Sequence, residues 1–218
     1  MFYLSFFIFT HFVCGYDALS VPIVPPQPWK AALMARYVIH MTDWVSIATI
    51  STQEAINGFP FVSLKSFSDG TSTNSTGVPY LYMTDLDVTG KDVLKNRRVS
   101  IMATLAETNY CENKEFDPQD PRCAKILISG KLFKIEATSP EYVFGRNSLF
   151  EKHPSMKNWP KDHLFYVAKV VPEQIEVLDY FGGLKFVTIE DYFNANITEL
   201  INLDRHFSRV AIIDIDAN

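Results

Sequence analysis

The sequence has no excess of positive charge: 20 Lys and Arg stand against 25 Asp and Glu, a net charge of −5. A chain so balanced has no general electrostatic grip on a phosphate backbone, which argues against direct nucleic-acid binding. Cysteine is scarce, three in 218 residues, with no CxxC pair and no His beside Cys111 or Cys123. A zinc cage therefore lacks its ligand set. GxSxG, HExxH, GxGxxG and the Walker glycine loop are all missing, so the hydrolase, metalloprotease and Rossmann readings have no support. No Ser or Cys stands out as a nucleophile beside an oriented base. A composition break is missing too. With 47% hydrophobic and 21% charged residues, the chain can bury one sizeable core or two small ones.

The first apolar stretch, Phe2 to Val13, is shorter than the roughly 20 residues of a membrane-spanning helix. It reads as part of a secretory signal peptide over residues 1–15, cleaved after Gly15, although no Lys or Arg precedes Lys30. The alternative is an uncleaved anchor. Cleavage would remove Cys14 and leave Cys111 and Cys123 as an even pair in an oxidising compartment, which predicts a disulfide. A ring of that size stabilises by roughly 3 kcal/mol through loop entropy. Two reduced thiols or half of a metal site are the other readings. Asn74-Ser75-Thr76 and Asn196-Ile197-Thr198 are sequons expected to be exposed acceptors of N-linked glycan.

Residues 16–28 carry four prolines and read as an extended leader. Trp29 to Met41 has helical spacing, with Arg36 and His40 one turn apart on an expected solvated face. Strands are expected at Trp44–Ile50 and Phe61–Phe67, joined through Asn57-Gly58, then at Pro79–Met83, Val99–Leu105 and Lys125–Ile135, where Gly130 marks a bend or bulge. Asp69-Gly70 reads as a turn opening a mobile loop to Gly77. Short helices are expected at Lys91–Asn96, from the Ser139 N-cap to Lys152, and from Thr188 to Asn194. His163–Val171 and Gln174–Phe181 read as two strands separated by Pro172, closed by Gly182-Gly183 at positive φ. His153 and His163, flanking Trp159-Pro160, are expected to hold that crossing through backbone hydrogen bonds. Six to eight strands without βαβ alternation predict a mainly β (α+β) antiparallel barrel. Residues 199–218 form a divergent tail, either polar and frayed or an extra edge strand.

TDWVSIATIST (Thr42–Thr52), SDG (Ser68–Gly70), GVPY (Gly77–Tyr80), FDPQDPRC (Phe116–Cys123), SLFEKHPSMKNWP (Ser148–Pro160) and LDYFGG (Leu178–Gly183) occur in this order. Together they resemble the CREG family, the secreted cellular-repressor glycoproteins, over Trp29 to Ile197 within a domain of residues 29–198. The resemblance implies an antiparallel split β-barrel with short peripheral helices, shared with pyridoxamine-phosphate oxidase-like FMN-binding proteins. It also implies a homodimer with any cofactor site between subunits.

The leading expectation is a secreted and lysosomal, N-glycosylated, non-catalytic binding protein that restrains proliferation and promotes differentiation. Its partner would be a cell-surface or sorting receptor reached through glycan and through the Cys111–Cys123 and Asp69–Gly77 loops. Phe116 could anchor a partner or fold inward. No cofactor is expected, since the family resembles flavin-fold proteins with a lost or filled pocket. The alternative is an FMN-dependent oxidoreductase. Its phosphate clamp would draw on Lys65 with the hydroxyls of Ser63, Ser66 and Ser68. A carrier of apolar ligands is a third class.

Overall fold

The computed structural model describes residues 24–198. The expected signal peptide, residues 16–23 of the expected leader and the expected tail at 199–218 lie outside the described residues. Helix α1 (Ala31–Met41) leads into strands β1 (Trp44–Ile50), β2 (Pro60–Thr71) and β3 (Asn74–Met83). Then follow α2 (Val88–Lys95), β4 (Arg98–Thr104), α3 (Asn109–Asn113), β5 (Lys125–Lys134), α4 (Pro140–Lys152), β6 (Tyr166–Leu178), β7 (Lys185–Val187) and α5 (Ile189–Asn194).

Every strand pairing is antiparallel. The order β3-β2-β1-β4-β5-β6-β7 closes on itself because the start of β6 also pairs with β3, Tyr80 to Met83 lying opposite Lys169 to Tyr166. Six strands thus make a closed barrel, and β7 joins the far half of β6 through Ile175, Glu176 and Val177. Alternation along the strands sends Val45 and Ile47, Val99, Ile101 and Ala103, and Ile126 and Ile128 into one core. Helix α1 packs against β2 through β6 and against β7, so it lies across one mouth of the barrel. Its Met34, Ala35, Val38 and Ile39 are buried there. On the outside, α4 covers β2, β3 and β6 and adds a second apolar cluster of Tyr80, Ile135, Leu149, Met156 and Val167.

Several expectations need correcting. Asp69-Gly70 is not a turn: β2 runs through it to Thr71, shifts register between Ser68 and Gly70, and the chain reverses at Ser72-Thr73. The expected Asp69–Gly77 loop is therefore largely a strand hairpin, because buried Asp69 is held by side chains from both neighbours, as described below. Pro172 does not split β6. It sits opposite Gly130 at a register shift where Glu173 is the extra residue, so its missing N–H falls where the ladder is already broken. Gly130 is required there, since a Cβ would lie 2.1 Å from Val171 O. Strand β7 was not expected. Helix α2 starts a turn earlier than spacing suggests because Asp87 caps it, accepting from Gly90 N at 2.8 Å.

Other local signals hold. Ser139 caps α4 with Pro140 following, Thr188 caps α5, and Gly182 and Gly183 take φ of 120° and 95°. No helix among the described residues is long and apolar enough to cross a membrane.

Candidate functional site

The structure does not bring all four residues of the expected phosphate clamp onto one face. Lys65 and Ser63 lie opposite buried Val45 and Ile47, whereas Ser66 lies opposite Trp44 on the outer face. The Lys65 ammonium is bound to Asp87 Oδ2 at 2.5 Å, and Ser63 Oγ shares a 2.8 Å hydrogen bond with Thr89 Oγ1. Ser68 turns inward, donating to Gly70 O at 2.7 Å and accepting from Gly70 N at 3.2 Å. The one cation of the set already has its counter-ion within the fold.

Residues of three of the quoted motifs meet elsewhere. Asp69, of SDG, is 1% exposed and accepts from His40 Nδ1 at 2.9 Å and from Ser75 Oγ. Burial pushes its carboxyl pKa up, but the hydrogen bonds from His40 and Ser75 and the nearby His40 and Lys152 charges outweigh burial and hold it below the ordinary value. Lys152, of EKHP, donates to His40 O at 3.2 Å and to Thr42 O, and its Nζ is 3.8 Å from Asp43. Burial lowers the Lys152 pKa, with Asp69, Asp43 and Glu107 opposing it. His153 Nε2 donates to Phe67 O at 2.9 Å, holding the crossing as expected. At His163 it is the backbone that engages, its carbonyl accepting from Thr84 Oγ1 at 2.6 Å.

Beside this cluster, Glu107 Oε2 accepts from Trp44 N at 3.3 Å, while buried Oε1 has no partner among the described residues. Burial drives its pKa to about 7. A cavity of about 260 Å³ opens onto His40, Asp69, Ser72, Ser148 and Lys152. Asp69, Lys152 and Glu107 were missed as a unit. Asp69 and Lys152 stand in separate motifs of one family, a pattern that gives no distance, and Glu107 stands in none of them.

The expected solvated face of α1 is overturned as well. Arg36 is 4% exposed, because α5 and the β2–β3 hairpin fold over that side of the helix. Its Nη1 donates to Tyr192 O, Phe193 O and Ala195 O at 3.3–3.4 Å, caps for the C-terminal carbonyls of α5. Nη2 donates to Ser75 O at 2.8 Å and Ser75 Oγ at 3.1 Å. Around it lies a polar cleft of about 270 Å³ lined by Asn74, Ser75, Thr76, Asn196 and Thr198. Both sequon asparagines are exposed on its rim.

Cys111 and Cys123 form the disulfide, with Cα atoms 5.5 Å apart. Phe116 in that loop folds inward, 6.3 Å from the Tyr110 ring and with the Arg122 guanidinium 4.2 Å above it. Residues 24–28 run alongside, and Lys185 fixes them by donating to Pro28 O at 2.8 Å.

A family model described as CREG, beta-barrel, matches residues 26–194. Protein CREG1 of Gallus gallus is 44% identical over 179 residues, covering 81% of this chain and 92% of that protein. Among solved structures, a heme binding protein from Mycobacterium smegmatis superposes with a TM-score of 0.60 at 20% identity, over 78% of this chain and 62% of that one. A general stress protein 26-related protein of the pyridoxinephosphate oxidase family from Clostridium acetobutylicum gives 0.50 at 10% identity, over 75% and 97%. Likenesses that distant speak for the barrel alone.

Proposed function

The chain belongs to the CREG family, with the split barrel of the pyridoxamine-phosphate oxidase class, and from that premise we propose that it is a non-catalytic binding protein of the secretory pathway. On this reading it is N-glycosylated at Asn74 and Asn196 and acts outside the cell and in lysosomes. There it restrains proliferation and favours differentiation through a cell-surface or sorting receptor that reads its glycans. The observation that carries the reading is the fate of Lys65: the cation that a bound FMN phosphate would need is neutralised by Asp87, and the Ser63 and Ser68 hydroxyls are turned to partners within the chain.

The working unit on this reading is a homodimer. Val62 and Leu64 on β2 are 61% and 62% exposed, and Trp44 on the adjacent strand is 39% exposed, an apolar outer face suited to a second copy.

An absorbance spectrum and an FMN titration of the purified glycoprotein test the absence of a cofactor. The expected result is a colourless protein without flavin or haem bands and without saturable FMN binding. Saturable binding at one FMN per subunit, lost in Lys65→Ala, would instead establish the oxidoreductase alternative.

A further inference from the structure

We propose that the glycans on Asn74 and Asn196 act together as one bivalent ligand for a lectin carrying two sugar sites within reach of each other. This rests on the glycoprotein reading above and adds the form of the partner to it. The two sequons are far apart in the chain, yet the Arg36 guanidinium joins them. Its Nη2 holds the carbonyl of Ser75, the residue after Asn74, and its Nη1 holds the carbonyl of Ala195, the residue before Asn196. Summing those hydrogen bonds with standard backbone lengths, the two asparagine Cα atoms cannot lie more than about 17 Å apart.

The spacing is also held firmly. Arg36 is buried, and Tyr192 Oη donates to Gly77 O at 2.7 Å, a second tie between α5 and β3. Both asparagine side chains stand exposed on the rim of the same polar cleft, so neither glycan has to displace packed structure. A receptor with two sites that captures one glycan meets the second at an effective concentration in the millimolar range, and the fixed scaffold leaves little ordering cost. Avidity of about 10²–10⁴ over a single glycan follows without any protein–protein contact.

The test uses the secreted full-length protein from cells that leave glycans as oligomannose, with site occupancy mapped by mass spectrometry. The probe is two single-site mannose-binding domains joined by a flexible linker of about 20 residues, which spans about 25 Å on average. Calorimetric titration should give one tandem probe per chain. Asn74→Gln and Asn196→Gln should each weaken binding about 10²-fold or more, while a single mannose-binding domain binds every remaining glycan equally in all variants. Bridging between protomers would also give one probe per chain in the parent, but in Asn74→Gln or Asn196→Gln it would give one probe per two chains at retained avidity, and that outcome would overturn the proposal.

Two tandem probes per chain, or single variants that lose only about half of the capacity at unchanged affinity, would overturn the proposal and leave the glycoprotein reading intact. An unmodified Asn74 or Asn196 in the mass map would overturn both.

Discussion

Glu107 is the residue whose environment most changes its chemistry. Burial, with Asp43 nearby, favours its neutral form over the hydrogen bonds from backbone N–H groups and the Lys152 charge that favour the ion, and its pKa rises from 4.5 to about 7. The stability that a neutral Glu107 contributes is complete below about pH 4.5 and is lost as pH rises through about 7. Glu107→Gln should therefore match the parent protein in thermal midpoint at acid pH and exceed it above about pH 7. The same difference at both ends of the range would show that Glu107 does not titrate as the structure requires. None of this was legible in ETNYC, where Glu107 looks like a surface acid. Arg36 was misread for the same reason. Helical spacing reports which residues share a face, and the covering of that face by α5 comes from residues more than a hundred positions away.

At the scale of elements, what the sequence showed best were the runs whose partners and caps are local: β1, β4 and β5 by alternation, and α4 and α5 by Ser139 and Thr188. Errors fall where a tertiary partner changes the meaning of a local signal. Pro172 reads as a strand break until Gly130 on β5 supplies the register shift that absorbs it, and Asp69-Gly70 reads as a turn until His40 and Ser75 take up the carboxylate. The β5–β6 bulge can be tested directly. Gly130→Val would place a side chain against the Val171 carbonyl, and a loss of about 1–3 kcal/mol in urea unfolding is expected. An unchanged midpoint would mean that the two strands meet less closely than described. The candidate sites were legible as ingredients: both sequons, the cysteine pair and the residues of the motifs. Their grouping into a sequon cleft and a His40–Asp69–Lys152 cluster was not, because each group draws on the first helix and on elements far along the chain.

For the whole molecule, the outer face of β1 and β2 is the decisive surface. Leu64→Asp puts a charge at its centre, and light scattering should then report about half the parent mass with the fold retained by circular dichroism. A parent protein already monomeric at the same concentration would remove the dimer from the proposal. The closure of β3 onto β6 bears on self-association in another way. Pairing of Tyr80–Met83 with Tyr166–Lys169 removes the free edge along that part of the ring, and among the described residues the extra strand beyond it, β7, is three residues long. Such an edge is too short to template the growth of a foreign or identical strand. Copies of the barrel can therefore meet through side chains and glycans but have little means of polymerising through their backbones, even when crowded.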